Sequence, residues 1–181
     1  MKKHILHVEE LPAAAPHIKA GERVLLSGTV YTARDAAHKR LMQLLDQKKA
    51  LPFPLNGAVI YYAGPTPAPH GLPIGSCGPT TSGRMDPFAP RLLDLGLAAM
   101  IGKGQRSVPV CDAIRRNRAI YLCAVGGAGA LAAQCVRSCE VIAFEDLGCE
   151  SVKRLELQSF PLIAAIDCTG GNLFEKSDNL I

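Results

Sequence analysis

Three short segments place cationic and hydroxyl side chains directly after apolar runs. The first is Thr32-Ala33-Arg34-Asp35-Ala36-Ala37-His38-Lys39-Arg40. The second, inside a Gly- and Pro-rich stretch, is Gly78-Pro79-Thr80-Thr81-Ser82-Gly83-Arg84-Met85-Asp86. The third is Ile101-Gly102-Lys103-Gly104-Gln105-Arg106-Ser107. In an α/β sheet the carboxyl ends of the strands are the usual ligand positions, and helix starts there offer unpaired amides to anions. One reading of Arg34, Arg84 and Lys103 is therefore a small-anion site. The other is ordinary surface, with Arg34 and Asp35 as a solvated ion pair and the glycines as turns. A nucleotide site is disfavoured. Gly102-Lys103-Gly104 lacks the full GxxxxGK[ST] pattern, and Gly126-Gly127-Ala128-Gly129 lacks both GxGxxG spacing and the acidic residue that should follow it.

The elements needed to position these segments alternate between strand and helix. Residues 24–30 are β-branched and apolar and read as a strand. Residues 33–45 space Ala37, Leu41, Leu44 and Leu45 as one helical face. Strands are expected at 58–62, 98–101, 119–125, 141–144, 152–157 and 162–166. Helices are expected at 87–95, at 107–117 with Ser107 as cap, and at 130–136. Residues 1–22 read as a polar arm leading into the fold. Residues 64–84 have no periodicity, and so long a loop in a compact domain is usually functional. Alternation of this kind gives the α/β class.

Composition limits what such a domain can do. With 181 residues, 48% hydrophobic and 20% charged, the chain is globular rather than disordered. Buried area at this length reaches about 70% of the unfolded surface, enough for a core. Tryptophan is absent, so that core must be aliphatic. A net charge of +4, with no long basic run, does not argue for nucleic acid. The seven cysteines are odd in number and lie mostly in apolar runs, as expected of reduced thiols in a cytoplasmic protein. Cys135 and Cys139, the closest pair, would share a helix face, yet no further ligands stand at matched spacing. No signal peptide or membrane-spanning stretch is expected.

Taken in order, the three segments and Phe144-Glu145-Asp146-Leu147-Gly148 resemble the β subunit of class I fumarate hydratase. The same region forms the C-terminal domain of single-chain class I fumarases. The resemblance runs from about residue 20 to the end, and GPTTSGRMD is its most specific element. The related tartrate dehydratase β subunit shares GPTTS and GKG but usually differs in the first segment, which favours fumarase.

This resemblance implies a single domain over residues 1–181 with a three-layer β/β/α swivelling fold. It implies a [4Fe–4S] cluster held by three cysteines of a separate α subunit, no metal ligand on this chain, and a hetero-oligomer acting on a small dicarboxylate. The implied reaction is reversible hydration of fumarate to malate. L-tartrate dehydration and non-catalytic small-anion binding are the alternatives. Thr80 is the implied base for the carbon-bound proton, with Thr81 as a substrate contact or the next candidate. Arg34, Arg84 and Lys103 are the implied carboxylate ligands. Asp35 and Asp86 either orient these arginines or are simple helix-start carboxylates, and Cys77 lies beside the loop with no ligand role expected.

Overall fold

The computed structural model describes residues 1–124 and 129–175. Seven strands form one mixed sheet: β1 (Lys3–His7), β2 (Arg23–Thr32), β3 (Val59–Tyr61), β4 (Ala99–Gly102), β5 (Ile120–Cys123), β6 (Val136–Ala143) and β7 (Val152–Ile166). Neighbours from β1 to β5 are parallel, whereas β7 is antiparallel to β2, β5 and β6. Because β7 pairs with both β2 and β5, the circuit β2-β3-β4-β5-β7 closes on itself. The helices are α1 (Leu11–Ala14), α2 (Asp35–Asp46), α3 (Ala89–Asp94), α4 (Val108–Arg116) and α5 (Gly129–Gln134). None is long and apolar enough to cross a membrane.

Parallel strands joined by helical crossovers are buried on both faces, and β3, β4 and β5 obey this. On one face Val59, Tyr61, Ala99, Ile101, Ile120 and Leu122 pack with Val24, Leu26 and Val30 of β2 and Leu155 and Leu157 of β7. On the other, Ile60, Met100 and Tyr121 pack with Ala37 and Leu41 of α2, Leu92 and Leu93 of α3, and Val110 and Ile114 of α4. The α/β class read from the sequence holds.

Several boundaries differ for identifiable reasons. Residues 1–22 are not an arm. β1 pairs with β2 from Lys3↔Arg23 to His7↔Ser27, and Leu11, Ala15 and Ile18 are fully buried. The prolines suggested a linker, but Pro12 and Pro16 sit in the first turns of short helices, where a missing N–H costs nothing. The two expected strands at 152–157 and 162–166 are one strand, β7, whose break in register is absorbed by Ser159 at φ 51°. Opposite that break, Gly28 adopts φ 109° and leaves room for the His7 ring. The helix expected at 130–136 is shorter, because Val136 already belongs to β6. Cys139 is on that strand, so Cys135 and Cys139 share no helix face. The Gly126-Gly127-Ala128 turn and the last residue expected in the strand at 119–125 lie outside the described residues.

His38 is completely buried on α2, stacked on Phe88 and edge-on to Tyr62. Its Nδ1 lies 2.8 Å from the Arg34 carbonyl oxygen, while Nε2 has no partner among the described residues. Burial pushes its pKa down to about 4, so the folded protein holds the ring neutral. An unfolded chain binds this proton near pH 6.5. Stability from this group is therefore complete above about pH 6.5 and is lost as pH falls towards 4, by about 3 kcal/mol in total. Urea unfolding of wild type and His38→Gln at about pH 7 and about pH 4 should show the steeper loss in wild type. Equal pH dependence would remove His38 as the cause.

Candidate active site

Since β2 to β5 are parallel, their carboxyl ends share one edge of the sheet. Arg34 and Asp35 follow β2, the Gly- and Pro-rich stretch follows β3, and Lys103 follows β4. That stretch is anchored on its return. Pro79 bridges Ala63, the Thr80 N–H donates to the Tyr62 carbonyl at 2.7 Å, and Thr81 bridges Lys103. Residues Ser82–Met85 then form a 3-10 turn that carries Arg84 back to α2, where its Nε lies 3.0 Å from Asp35 Oδ1. Arg34, Thr80, Thr81, Arg84 and Lys103 are thus brought to one edge.

The turn is held from beneath by a network that includes Ser82, Tyr121 and Arg106, to which the sequence reading gave no role. The Lys103 N–H donates to Ser82 Oγ at 3.0 Å, and the Ser82 N–H donates to the Lys103 carbonyl at 2.9 Å. The Tyr121 hydroxyl lies 2.8 Å from Ser82 Oγ and 2.9 Å from the Gly104 carbonyl. Gly102 makes this docking possible, since a Cβ there would collide with Ser82 Oγ. Asp86 pairs with neither Arg34 nor Arg84. It accepts from Arg106 Nε at 2.6 Å and from the Ser107 N–H at 2.6 Å, so it closes the turn onto the start of α4. Ser107 therefore takes the cap position without a side-chain cap bond. The Arg106 side chain is wholly buried between the rings of Tyr62 and Tyr121.

Arg34 is positioned from the other side. Its Nη2 lies 3.4 Å from Glu150 Oε1, and the Ala36 N–H donates to Glu150 Oε2 at 3.3 Å. Arg34 and Asp35 are therefore no mutual ion pair, since each is matched to a different partner. Glu150 ends the turn Glu145–Glu150, which the Lys153 ammonium secures by donating to the carbonyls of Gly148 and Cys149 at 3.2 and 3.1 Å and to Ser151 Oγ at 2.7 Å. Nothing local in the sequence marks Glu150, whose contact with Ala36 spans 114 residues. Arg106 did leave a signal. Tyr62, just past β3, and Tyr121 of β5 are buried, and buried hydroxyls need a polar neighbour.

Chemically the edge presents cationic and hydroxyl side chains side by side. The Arg84 side chain is 52% exposed, and Lys103 and Thr81 are exposed. Guanidinium forks and an ammonium suit carboxylates, and hydroxyls beside them can bond or relay a proton. Among the described residues, no three His, Cys, Asp or Glu side chains come together as a metal site. Cys77 is buried, and burial pushes its thiol up to about 12, so it is no ready thiolate. These residues do not fit an iron–sulfur cluster.

The sequence matches the Fumarase C-terminus family over residues 2–177. It is 41% identical over 160 residues to fumarate hydratase 1, mitochondrial, of Leishmania major, covering 85% of this chain and 28% of that protein. It is 37% identical over 174 residues to the anaerobic class I fumarate hydratase of Escherichia coli K12, covering 95% and 32%. It is 36% identical over 165 residues to a putative L(+)-tartrate dehydratase subunit beta of Methanocaldococcus jannaschii, covering 88% and 85%. The chain thus spans about a third or less of the fumarate hydratases it matches.

Removing one partner of a buried ion pair strands the other charge, which costs about 3–5 kcal/mol. Asp86→Asn should lower unfolding stability by about 3 kcal/mol, because it uncouples the turn from Arg106. Asp146→Asn, at the exposed Arg40 pair, should leave the midpoint near wild type. Chemical denaturation of both variants checks this, and equal midpoints would mean Asp86 anchors nothing.

Proposed function

The chain belongs to the Fumarase C-terminus family, and on that premise we propose that it is the β subunit of an iron–sulfur hydro-lyase that hydrates fumarate reversibly to malate. The observation carrying this reading is the convergence of Arg34, Arg84, Lys103, Thr80 and Thr81 at one sheet edge. The tartrate reading has its own support, since 85% and 82% of two tartrate dehydratase β subunits are covered. We also read the fold as the β/β/α swivelling domain, with one core between strand layers and one under α2, α3 and α4.

In this proposal a [4Fe–4S] cluster on the partner α subunit supplies a Lewis acid. This chain supplies the charge and the proton acceptor. Removing a proton beside a carboxylate places negative charge on that carboxylate, so cations fixed around it lower the barrier. Arg34 and Arg84 grip carboxylates at two points, and Lys103 adds a compact positive charge. Thr80, held by its N–H to the Tyr62 carbonyl, is the hydroxyl we assign to the carbon-bound proton. A threonine hydroxyl needs cationic surroundings and an acceptor to serve as base. The edge supplies the cations, and the acceptor is assigned to the partner.

The chain alone should show no hydratase activity, and anaerobic co-expression with a cluster-bearing α subunit should restore it. A panel of fumarate, malate and tartrate then separates the two hydro-lyase readings, and anion binding without turnover in the complex would favour the binding module. On that complex, Thr80→Val should reduce kcat by about a hundredfold or more with KM nearly kept. It should also suppress exchange of the substrate's carbon-bound proton with solvent. Near-normal turnover and exchange would remove Thr80 from the mechanism and pass the role to Thr81.

A further inference from the structure

Arg84 is half-exposed, and a free arginine side chain in that position samples many rotamers, so a two-point grip needs something to set its orientation. The only carboxylate paired with it among the described residues is Asp35, at 3.0 Å through Nε. Asp35 itself is well fixed. It is the first residue of α2, entered through Arg34 in extended conformation, and its side chain is 24% exposed. Its second oxygen, Oδ2, is buried and has no partner among the described residues. A buried carboxylate oxygen left unmatched is costly, so its retention calls for an explanation.

The guanidinium's donor geometry provides one. Arginine has five N–H bonds in a planar fork. A carboxylate taken side-on occupies Nε and one N–H of Nη2. The end-on edge, formed by Nη1 and the other N–H of Nη2, then remains free for a second carboxylate. Pairing through Nε is therefore the arrangement that leaves the gripping edge open, whereas pairing through the terminal nitrogens would block it.

We propose that Asp35 is a positioning residue that holds Arg84 through Nε, so that the terminal fork of Arg84 faces the substrate carboxylate, with Oδ2 reserved for Nη2 when substrate docks. The inference rests on the hydro-lyase reading above. Asp86, its counterpart at the end of the same turn, is committed to Arg106 and has no such role.

The test uses the complex with the α subunit. Asp35→Asn keeps shape and a helix-start acceptor but removes the charge that orders the guanidinium. It should raise KM for malate by about tenfold, with kcat changed by less than about threefold. Asp35→Ser should behave alike, which guards against a folding artefact in either variant, and melting midpoints of both should stay near wild type. In an Arg84→Gln background, where no guanidinium remains to orient, Asp35→Asn should add no further loss of malate affinity. If Asp35→Asn leaves KM within about twofold of wild type, or its loss simply multiplies with that of Arg84→Gln, Asp35 is only a helix-start carboxylate and the inference falls. Wild-type affinity and turnover in Arg84→Gln itself would instead overturn the substrate site.

Discussion

A guanidinium removed from water keeps its charge, so every donor around it must find an acceptor inside the protein. Arg106 imposes that demand here. It reaches Asp86, the Tyr62 hydroxyl and the Met100 sulfur, and lies over two aromatic rings. Asp86 ends the Thr80–Asp86 turn and also receives the first amide of the segment leading into α4. Matching one buried charge thus ties together the end of β3, the end of β4, the turn between them and the helix that follows.

The division of labour at the edge follows from this. Polar groups that bear load are buried, each committed to another protein group: Arg106 with Asp86, Ser82 with Lys103 N–H and Tyr121, Lys153 with the carbonyls of Glu145–Glu150. The edge cations Arg34 and Arg84 remain partly exposed, each with a carboxylate beside it. Glu150 and Asp35 stand on opposite sides of the α2 start, one holding Arg34 and the other Arg84. Two consecutive residues thereby register two loops far apart in sequence. Charge-assisted pairs of this kind contribute little to stability at a surface, yet they fix where cationic groups stand.

How much of this was legible depended on whether the signal was local. β2 and α2 announced themselves through the β-branched, apolar run at residues 24–30 and through the helical spacing of Ala37, Leu41, Leu44 and Leu45. The edge segments were legible because Gly, Pro and polar residues ended apolar runs. What escaped was set by long-range pairing. β1 looked like an arm because residues 1–22 are polar and contain prolines, and only its partner β2 makes it a strand. The union of the two C-terminal runs into β7 depends on contacts with β2 and β5, not on the intervening Ser159 and Pro161. Asp86 was read as a neighbour of the substrate arginines because Arg84 is two residues away, but the turn points it to Arg106, 20 residues on.

The closed strand circuit has a consequence for how this chain reaches its native state. β7 completes the ring by pairing with β2, and the Lys153 N–H that donates to Thr32 Oγ1 lies 121 residues further along the chain. During vectorial synthesis β2 emerges from the ribosome long before the strand that covers its other edge. It must wait with an unpaired hydrogen-bonding edge and the apolar side chains Val24, Leu26 and Val30. Contacts of such separation carry a large loop-closure entropy and slow the rate-determining step. The sheet edge that gathers Arg34, Arg84 and Lys103 is therefore complete only after the last long strand is in place.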